Sequence, residues 1–453
     1  MKGITVRDIV EATNGRLLCG DDSTVVEDIC IDSREIKAGD LFVPIIGQKV
    51  DAHTYIESVL EIGAASLTSE HDSLDMRKPC IRVENTEEAL KMIGRYVRAR
   101  IDLPIVAVTG SVGKTTTRNM IATALRSQYR VCETIKNYNS QIGVPIMICK
   151  IQPEDDMAVL ECGMSEPGQI HTLSELVKPR YAVVSVIGVA HIENLKTQEN
   201  IRDEKLSIID ALDPNGVLFL NGDDAMLAGQ KGKLPVKTIY YGTEDWCDYY
   251  AADIQYDHGR SYFTCVHGEK RIPVELSVLG RHNILNCIGA LAVADTQGIP
   301  MEKAAEVFAH YSGIRQKIIE LENRFRVIDD TYNASPDSMR ASLDVLCHVE
   351  TTGRRVAVLG DMFELGENSE QYHYQVGEYL SSLPVDELIV VGDHARMIRK
   401  AVEDSGKKMK LCSFMENEEV AMYLIATLQP DDIVLLKGSN GMKMWEILEV
   451  LQQ

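Results

Sequence analysis

Lys114, Thr115 and Thr116 follow two glycines, Gly110 and Gly113, in the stretch IVAVTGSVGKTTTRNMIATAL (105–125). A glycine turn with free backbone N–H groups, a lysine and hydroxyls is chemistry suited to a polyphosphate. The glycines let the backbone approach phosphate oxygens without a Cβ in the way. Lys114 would neutralise the β- and γ-phosphates, and Thr115 or Thr116 would hold Mg²⁺. The spacing departs from the common phosphate loop, because Val108 stands where a glycine is usual five positions before Gly113. A glycine turn needed for packing alone is the plainer alternative. The flanks favour the nucleotide reading. Residues 105–109 are an apolar run fit for a buried strand, and Met120, Ile121, Ala124 and Leu125 recur at helical spacing.

Glu161 ends the apolar run MAVLECG (157–163), and His191 follows YAVVSVIG (181–188) shortly after its end. Both runs read as strands covered on both faces, and ligands of an open α/β sheet gather at the carboxyl ends of its strands. A carboxylate inside an apolar strand is costly unless it is paired or metal-bound. A buried salt bridge would satisfy Glu161, and a core contact would satisfy His191 taken alone. Near a phosphate site the two read better together, as ligands of a second divalent cation, directly or through water. Lys205, in RDEKLSII (202–209), reads by itself as a solvated helix lysine.

The elements that must position these groups fall into three segments. Residues 1–84 read as a small α/β domain, in which Asp32-Ser33-Arg34 follows a strand-like run. Residues 85–312 carry the phosphate signature and further strands. From 313 to 453 strands (FRVIDDTY, RRVAVLGDM, ELIVVG, DIVLLKGS) alternate with helical stretches at 336–349, 369–383 and 394–406, as in a Rossmann-like domain. No GxGxxG accompanies them. The polar loops 329–336 and 360–366 follow strands of that domain and point to a substrate site, although Ser335-Pro336 is also a good helix opening.

At 453 residues the chain is long enough for two to four domains. Its formal charge of −21 argues against a nucleic acid partner. The 11 cysteines form no CxxC pair and sit singly in apolar surroundings, as expected of reduced thiols in a cytosolic protein. The start, MKGITVRDIVEATNG, is not a signal peptide, and no apolar run reaches the length of a membrane span. A cytoplasmic monomer without membrane insertion is expected.

Taken in order, TGSVGKTT, NYNSQIGVP (137–145), LECGMSEPG (160–168), IGVAHIENL (187–195), RDEKLSII, NGDD (221–224), GRHNILN (280–286), VIDDTYNASPDSM (327–339) and LGDMFELG (359–366) resemble the Mur ligases. These are ATP-dependent amide-forming enzymes of peptidoglycan synthesis. The last two motifs resemble the members that add D-alanyl-D-alanine to UDP-N-acetylmuramoyl-tripeptide. The resemblance implies an α/β fold of three domains. These are a small N-terminal α/β domain for the UDP-sugar, a central P-loop-type mononucleotide-binding parallel sheet, and a C-terminal Rossmann-like domain that closes over ATP and the incoming dipeptide.

The same resemblance implies roles. Lys114, Glu161, His191 and Lys205 would be catalytic. Gly110, Ser111, Val112, Gly113, Lys114, Thr115, Thr116, Asn283, Arg315 and Asp330 would bind ATP, with Asn283 facing the adenine. Ser33, Arg34, Asn139, Asn333 and Ser338 would contact substrates. Two Mg²⁺ sites would draw on Thr115, Glu161 and His191, and on Lys205 once carbamylated by CO₂. The γ-phosphoryl group would pass to a carboxylate, and an amine would then displace phosphate from the acyl phosphate. Three positions depart from the family pattern: Ser140 replaces a second asparagine, Gln169 a glutamate, and Asn440 the arginine of KGSR. The last leaves open the phosphate or carboxylate contact an arginine would make. Alternatives on the same scaffold are a third-residue Mur ligase, a folylpolyglutamate synthase, or an ATP-binding relative without turnover.

Overall fold

A computed structural model describes residues 1–47, 49–74, 76–321 and 325–452. Near the N-terminus, the helix Val6–Thr13 opens on a capping box between Thr5 and Asp8 and buries Val6 and Ile9. Beside it lies a five-stranded sheet in which Asp40–Phe42 pairs in parallel with the edge strand Asp28–Cys30 and with the central strand Ala65–Thr68. The helix Thr86–Arg98 then leads into the middle of the chain, buried along Ala89, Leu90, Ile93 and Val97.

The middle holds a nine-stranded sheet. Six neighbours run parallel in the order Lys237–Gly242, Val217–Asn221, Tyr181–Val184, Ile105–Thr109, Met157–Glu161, Val131–Glu133. Every residue of Ile105–Thr109, Met157–Glu161 and Tyr181–Val184 is buried, which is why those segments are continuous apolar runs. From Ile105–Thr109 the chain goes to the edge strand Val131–Glu133, returns to Met157–Glu161, and then crosses to Tyr181–Val184 on the other side. The strand order therefore reverses at Ile105–Thr109, and a crevice opens at the carboxyl ends around it.

Beyond the parallel part the sheet continues differently from the sequence expectation. Tyr249–Asp257 joins in parallel, and Arg260–His267 and Lys270–Leu276 follow antiparallel. Tyr249 and Ala251 are buried, but from Asp253 on, where the register with the next strand shifts, every residue is half-buried or exposed. His258 and Gly259, both with positive φ, make the two-residue turn.

The C-terminal sheet has five parallel strands, Arg326–Asp329, Ile433–Lys437, Arg355–Gly360, Glu387–Val391 and Lys410–Phe414, with Lys317–Glu320 antiparallel at one edge. Lys317–Glu320 and Lys410–Phe414 carry no sequence signal because both lie at edges and neither has a fully buried residue. Helices Pro336–His348, Ser369–Ser381 and Arg396–Asp404 fall within two residues of the expected spans. All 11 cysteines are free. Among the described residues no helix is long and apolar enough to cross a membrane.

Candidate functional site

Ile105–Thr109 delivers the chain into the crevice through Gly110, whose φ is 150°. A Cβ there would lie 2.0 Å from Ser185 Oγ, so only glycine fits. The Ser111 N–H donates to Val186 O at 2.7 Å, tying the loop to the exit of the neighbouring strand. Gly113, left-handed at φ 83°, starts the helix Lys114–Arg126, and no side chain caps it. Its first-turn N–H groups are thus free to take an anion. Lys114 Nζ donates to Gly110 O at 2.9 Å and Ser111 O at 3.3 Å. Burial pushes this amine below the ordinary lysine value; Glu161 opposes the shift and Arg315 adds to it.

On the adjoining strand Glu161 is 2% exposed. Asn139 Nδ2 donates to its Oε1 at 2.7 Å, and no cation lies at ion-pair distance among the described residues. Ionised, that carboxylate is a buried negative charge without a neutralising partner. His191 leaves the strand Tyr181–Val184 through a left-handed turn, φ 62°. Its Nδ1 is 2.5 Å from Glu364 Oε2, but the approach lacks hydrogen-bond alignment.

Lys205 corrects the sequence expectation. It is 1% exposed on the helix Gln198–Leu206, not solvated. Among the described residues it has no ion-pair partner. Burial, and after it the charge of Lys114, drive its amine well below the ordinary lysine value against a small pull from Glu204. Glu204 is already committed, accepting from the N–H groups of Gly168 and Ile170 at 2.8 Å each.

Loops from the C-terminal sheet close the other side. Asp330 and Lys437 end the neighbouring strands Arg326–Asp329 and Ile433–Lys437 and form a buried ion pair of 2.6 Å. Asp330 also accepts from Ser342 Oγ at 2.5 Å and Gln316 Nε2 at 3.3 Å, and Gln316 in turn meets His282 of the helix Arg281–Thr296 at 2.9 Å. The Arg315 guanidinium stacks 3.4 Å from the centroid of the Tyr332 ring. The Ser338 hydroxyl is engaged at the helix start, accepting from Ser335 N–H at 2.9 Å.

These groups meet around one cavity of about 860 Å³, at the upper end of the size range for small-molecule sites. Ser111 through Thr116, Asn139, Glu161 and His191 line it from the central sheet, with Asn283 from the helix Arg281–Thr296. Arg315, Asp330, Asn333 and Ser338 line it from the C-terminal side. Lys205 lies behind the lining rather than in it. Ser33 and Arg34 are not part of this cavity; Arg34 pairs with Asp32 at 2.6 Å on the surface of the N-terminal domain.

The departures from the family pattern find local work. Ser140 Oγ accepts from Gly143 N–H at 3.3 Å, and Gln169 Oε1 accepts from Ser165 N–H at 2.8 Å, as a carboxylate oxygen would. Asn440 Nδ2 donates to Tyr332 O at 3.0 Å. Sequence reasoning gave no role to Lys437, Gln316 or His282, which also line the cavity, whereas Glu364 falls in the loop 360–366 expected at the substrate side. Lys437 had a signal, since a lysine ending an apolar run needs a partner; Gln316 and His282 had none.

Residues 108–294 match the model of the Mur ligase middle domain, and residues 314–440 that of the Mur ligase, glutamate ligase domain. The UDP-N-acetylmuramoyl-tripeptide--D-alanyl-D-alanine ligase of Bacillus subtilis (strain 168) is 32% identical over 99% of this chain and 98% of its own. The ligase of the same name from Escherichia coli (strain K12) is 29% identical over 100% and 99%. A crystal structure of MurF from Acinetobacter baumannii superposes with a TM-score of 0.89 at 29% identity, covering 99% of this chain and 98% of that one. MurF ligase from Thermotoga maritima in complex with ADP gives a TM-score of 0.82 at 27% identity, over 94% and 97%.

Proposed function

The chain belongs to the Mur ligase family, and we infer that it joins D-alanyl-D-alanine to UDP-N-acetylmuramoyl-tripeptide while ATP becomes ADP and phosphate. The observation that carries this reading is the shared cavity: the phosphate loop and Glu161 face Asp330, Asn333 and Glu364 across it. Relatives that carry this activity in their name match almost end to end.

A carboxylate does not condense with an amine in water, because it is a poor electrophile. Transfer of the γ-phosphoryl group turns the tripeptide carboxylate into an acyl phosphate, and the amine of the dipeptide then displaces phosphate. The first step brings two anions together. Lys114 and the free N–H groups of the loop offset that repulsion and stabilise the charge of the transition state. Asn283 and Arg315 hold the nucleotide with Asp330, while Asn139, Asn333 and Ser338 contact the substrates. Ser33 and Arg34 of the N-terminal domain (1–84) take the UDP-sugar. The central domain (85–312) takes ATP, and the C-terminal domain (313–453) covers ATP and the dipeptide, excluding water that would hydrolyse the acyl phosphate.

The donor set fits Mg²⁺. Glu161 is an uncompensated carboxylate, and His191 Nδ1 is an unaligned buried acceptor. Thr115 and Glu161 would hold one ion and His191 the other; when bound, they neutralise phosphate charge. Lys205 supports a carbamate: burial disfavours its ammonium form, and the free amine is the form that adds CO₂. The resulting negative group would serve the second ion. We place the enzyme in the cytoplasm as a monomer.

Phosphate release from the purified protein tests the reading. Release must require ATP, UDP-N-acetylmuramoyl-tripeptide and D-alanyl-D-alanine together. Equal release with diaminopimelate, lysine or glutamate in place of the dipeptide would contradict it.

A further inference from the structure

D-Alanyl-D-alanine arrives as an ammonium, and its nitrogen is no nucleophile until a proton leaves. The groups assigned above do not take that proton. Glu161 is held by Asn139, Asp330 by Lys437 and Ser342, and Glu364 lies against His191. Glu87 also lines the cavity, but from the helix Thr86–Arg98, not from the closing domain.

Two lining carboxylates of the C-terminal domain accept no hydrogen bond among the described residues, Glu364, which lies 2.5 Å from His191, and one with no basic group so near. The latter is Asp337, in the first turn of the helix Pro336–His348. Its nearest cation is Arg340, 3.9 Å away on the same helix. A Cβ at Gly188 would lie 2.2 Å from Asp337 Oδ2 and 3.4 Å from Ser111 Cβ. The carboxylate therefore lies against Gly188, a residue with no side chain to block it, and Ser111 of the phosphate loop lies against the same residue. This is the side on which the terminal phosphate, and the acyl phosphate made from it, would lie.

We propose that Asp337 draws the ammonium of the incoming dipeptide into the cleft and accepts its proton. The proposal rests on the ligase reading above. The proton passes from nitrogen to the Asp337 carboxylate, and the freed lone pair forms the C–N bond at the acyl phosphate carbon. The C–O bond to phosphate then breaks, and its electron pair leaves with phosphate. A second nitrogen proton goes to that phosphate, leaving the amide with one N–H. Asp337 returns its proton to water when the cleft opens.

The surroundings suit the task. Burial pushes the Asp337 carboxyl above its ordinary value; Arg340 opposes the shift, and Asp224 of the central domain adds to it. Tyr372, on the helix Ser369–Ser381, faces it as well, with its own hydroxyl shifted up by burial and by Asp337. A carboxylate whose charged form burial disfavours takes an ammonium proton at less cost.

The test compares two nucleophiles in the full-length protein. Hydroxylamine is a neutral nucleophile at neutral pH and traps the acyl phosphate as a hydroxamate without a base. In Asp337→Asn, D-alanyl-D-alanine ligation should slow about 100-fold at neutral pH, while ATP-dependent hydroxamate formation stays within about 3-fold of wild type. The deficit in kcat should shrink as pH rises and the dipeptide loses its proton unaided. Asp337→Glu should recover part of the ligation. Wild-type ligation by Asp337→Asn overturns the proposal. So does a parallel fall of both reactions in both variants. A wild-type protein that makes hydroxamate but no peptide with D-alanyl-D-alanine overturns the ligase reading itself, and the proposal with it.

Discussion

At the scale of single residues, the site turns on two lysines with opposite histories. Lys114 sits where a glycine turn meets an uncapped helix, and its amine lies on the loop that would hold phosphate. Lys114→Ala should abolish ATP-dependent ligation, with kcat down by at least about 100-fold, and leave the circular dichroism spectrum unchanged. A normal turnover rate would contradict the site. Lys205→Ala should be nearly inactive and partly recovered by a short-chain carboxylic acid, which supplies the missing negative group; wild-type activity without the acid would sink the carbamate reading. The sequence made Lys114, Glu161 and His191 legible because each follows or ends an apolar run, where open α/β sheets place ligands. It hid Lys205, because Arg202, Asp203 and Glu204 beside it look solvated and only tertiary packing buries the fourth residue. Gln316 and His282 were invisible for a related reason: each matters through a partner distant in sequence.

Among elements, the buried central strands announced themselves, and the edge strands Lys317–Glu320 and Lys410–Phe414 did not. A strand covered on both faces is a continuous apolar run; Tyr249–Asp257 is buried only at Tyr249 and Ala251 and leaves a weaker pattern. The stability of the C-terminal sheet depends on its amino-terminal end, opposite the cavity. Arg354 pairs there with Asp432 at 2.6 Å and Glu387 at 3.1 Å, and both carboxylates are 2% exposed. Arg354→Ala strands a buried charge at Asp432 and should destabilise the domain by about 3 kcal/mol, read as a lower midpoint in thermal unfolding. An unchanged midpoint would deny the pair any weight. Burial pushes the Asp432 carboxyl up, but hydrogen bonds from Arg354 and from the N–H groups of Gln429 and Arg354 more than offset it, so the group lies below the usual carboxylate range. Its contribution is complete above the unfolded value of about 3.9 and is lost as pH falls through the lower folded value. The difference between wild type and Arg354→Ala should therefore narrow in strong acid.

For the whole molecule, the C-terminal domain already touches the central one. Glu364 meets His191, Asp337 meets Gly188, and Tyr256 of the antiparallel hairpin lies against His348 with ring centroids 4.4 Å apart. A non-hydrolysable ATP analogue bound in the shared cavity should stabilise the fold by about 2.7 kcal/mol at a hundred times its Kd, and the shift in unfolding midpoint should vanish in Lys114→Ala. A shift of equal size in that variant would place the nucleotide elsewhere. The central claim is that the terminal phosphate of ATP is handed to the carboxylate of the tripeptide. The most direct measurement uses UDP-N-acetylmuramoyl-tripeptide whose reacting carboxylate carries the heavy isotope of oxygen. After turnover with ATP and D-alanyl-D-alanine, one labelled oxygen should appear in each inorganic phosphate released. Phosphate free of the label, with peptide still formed, would contradict the account.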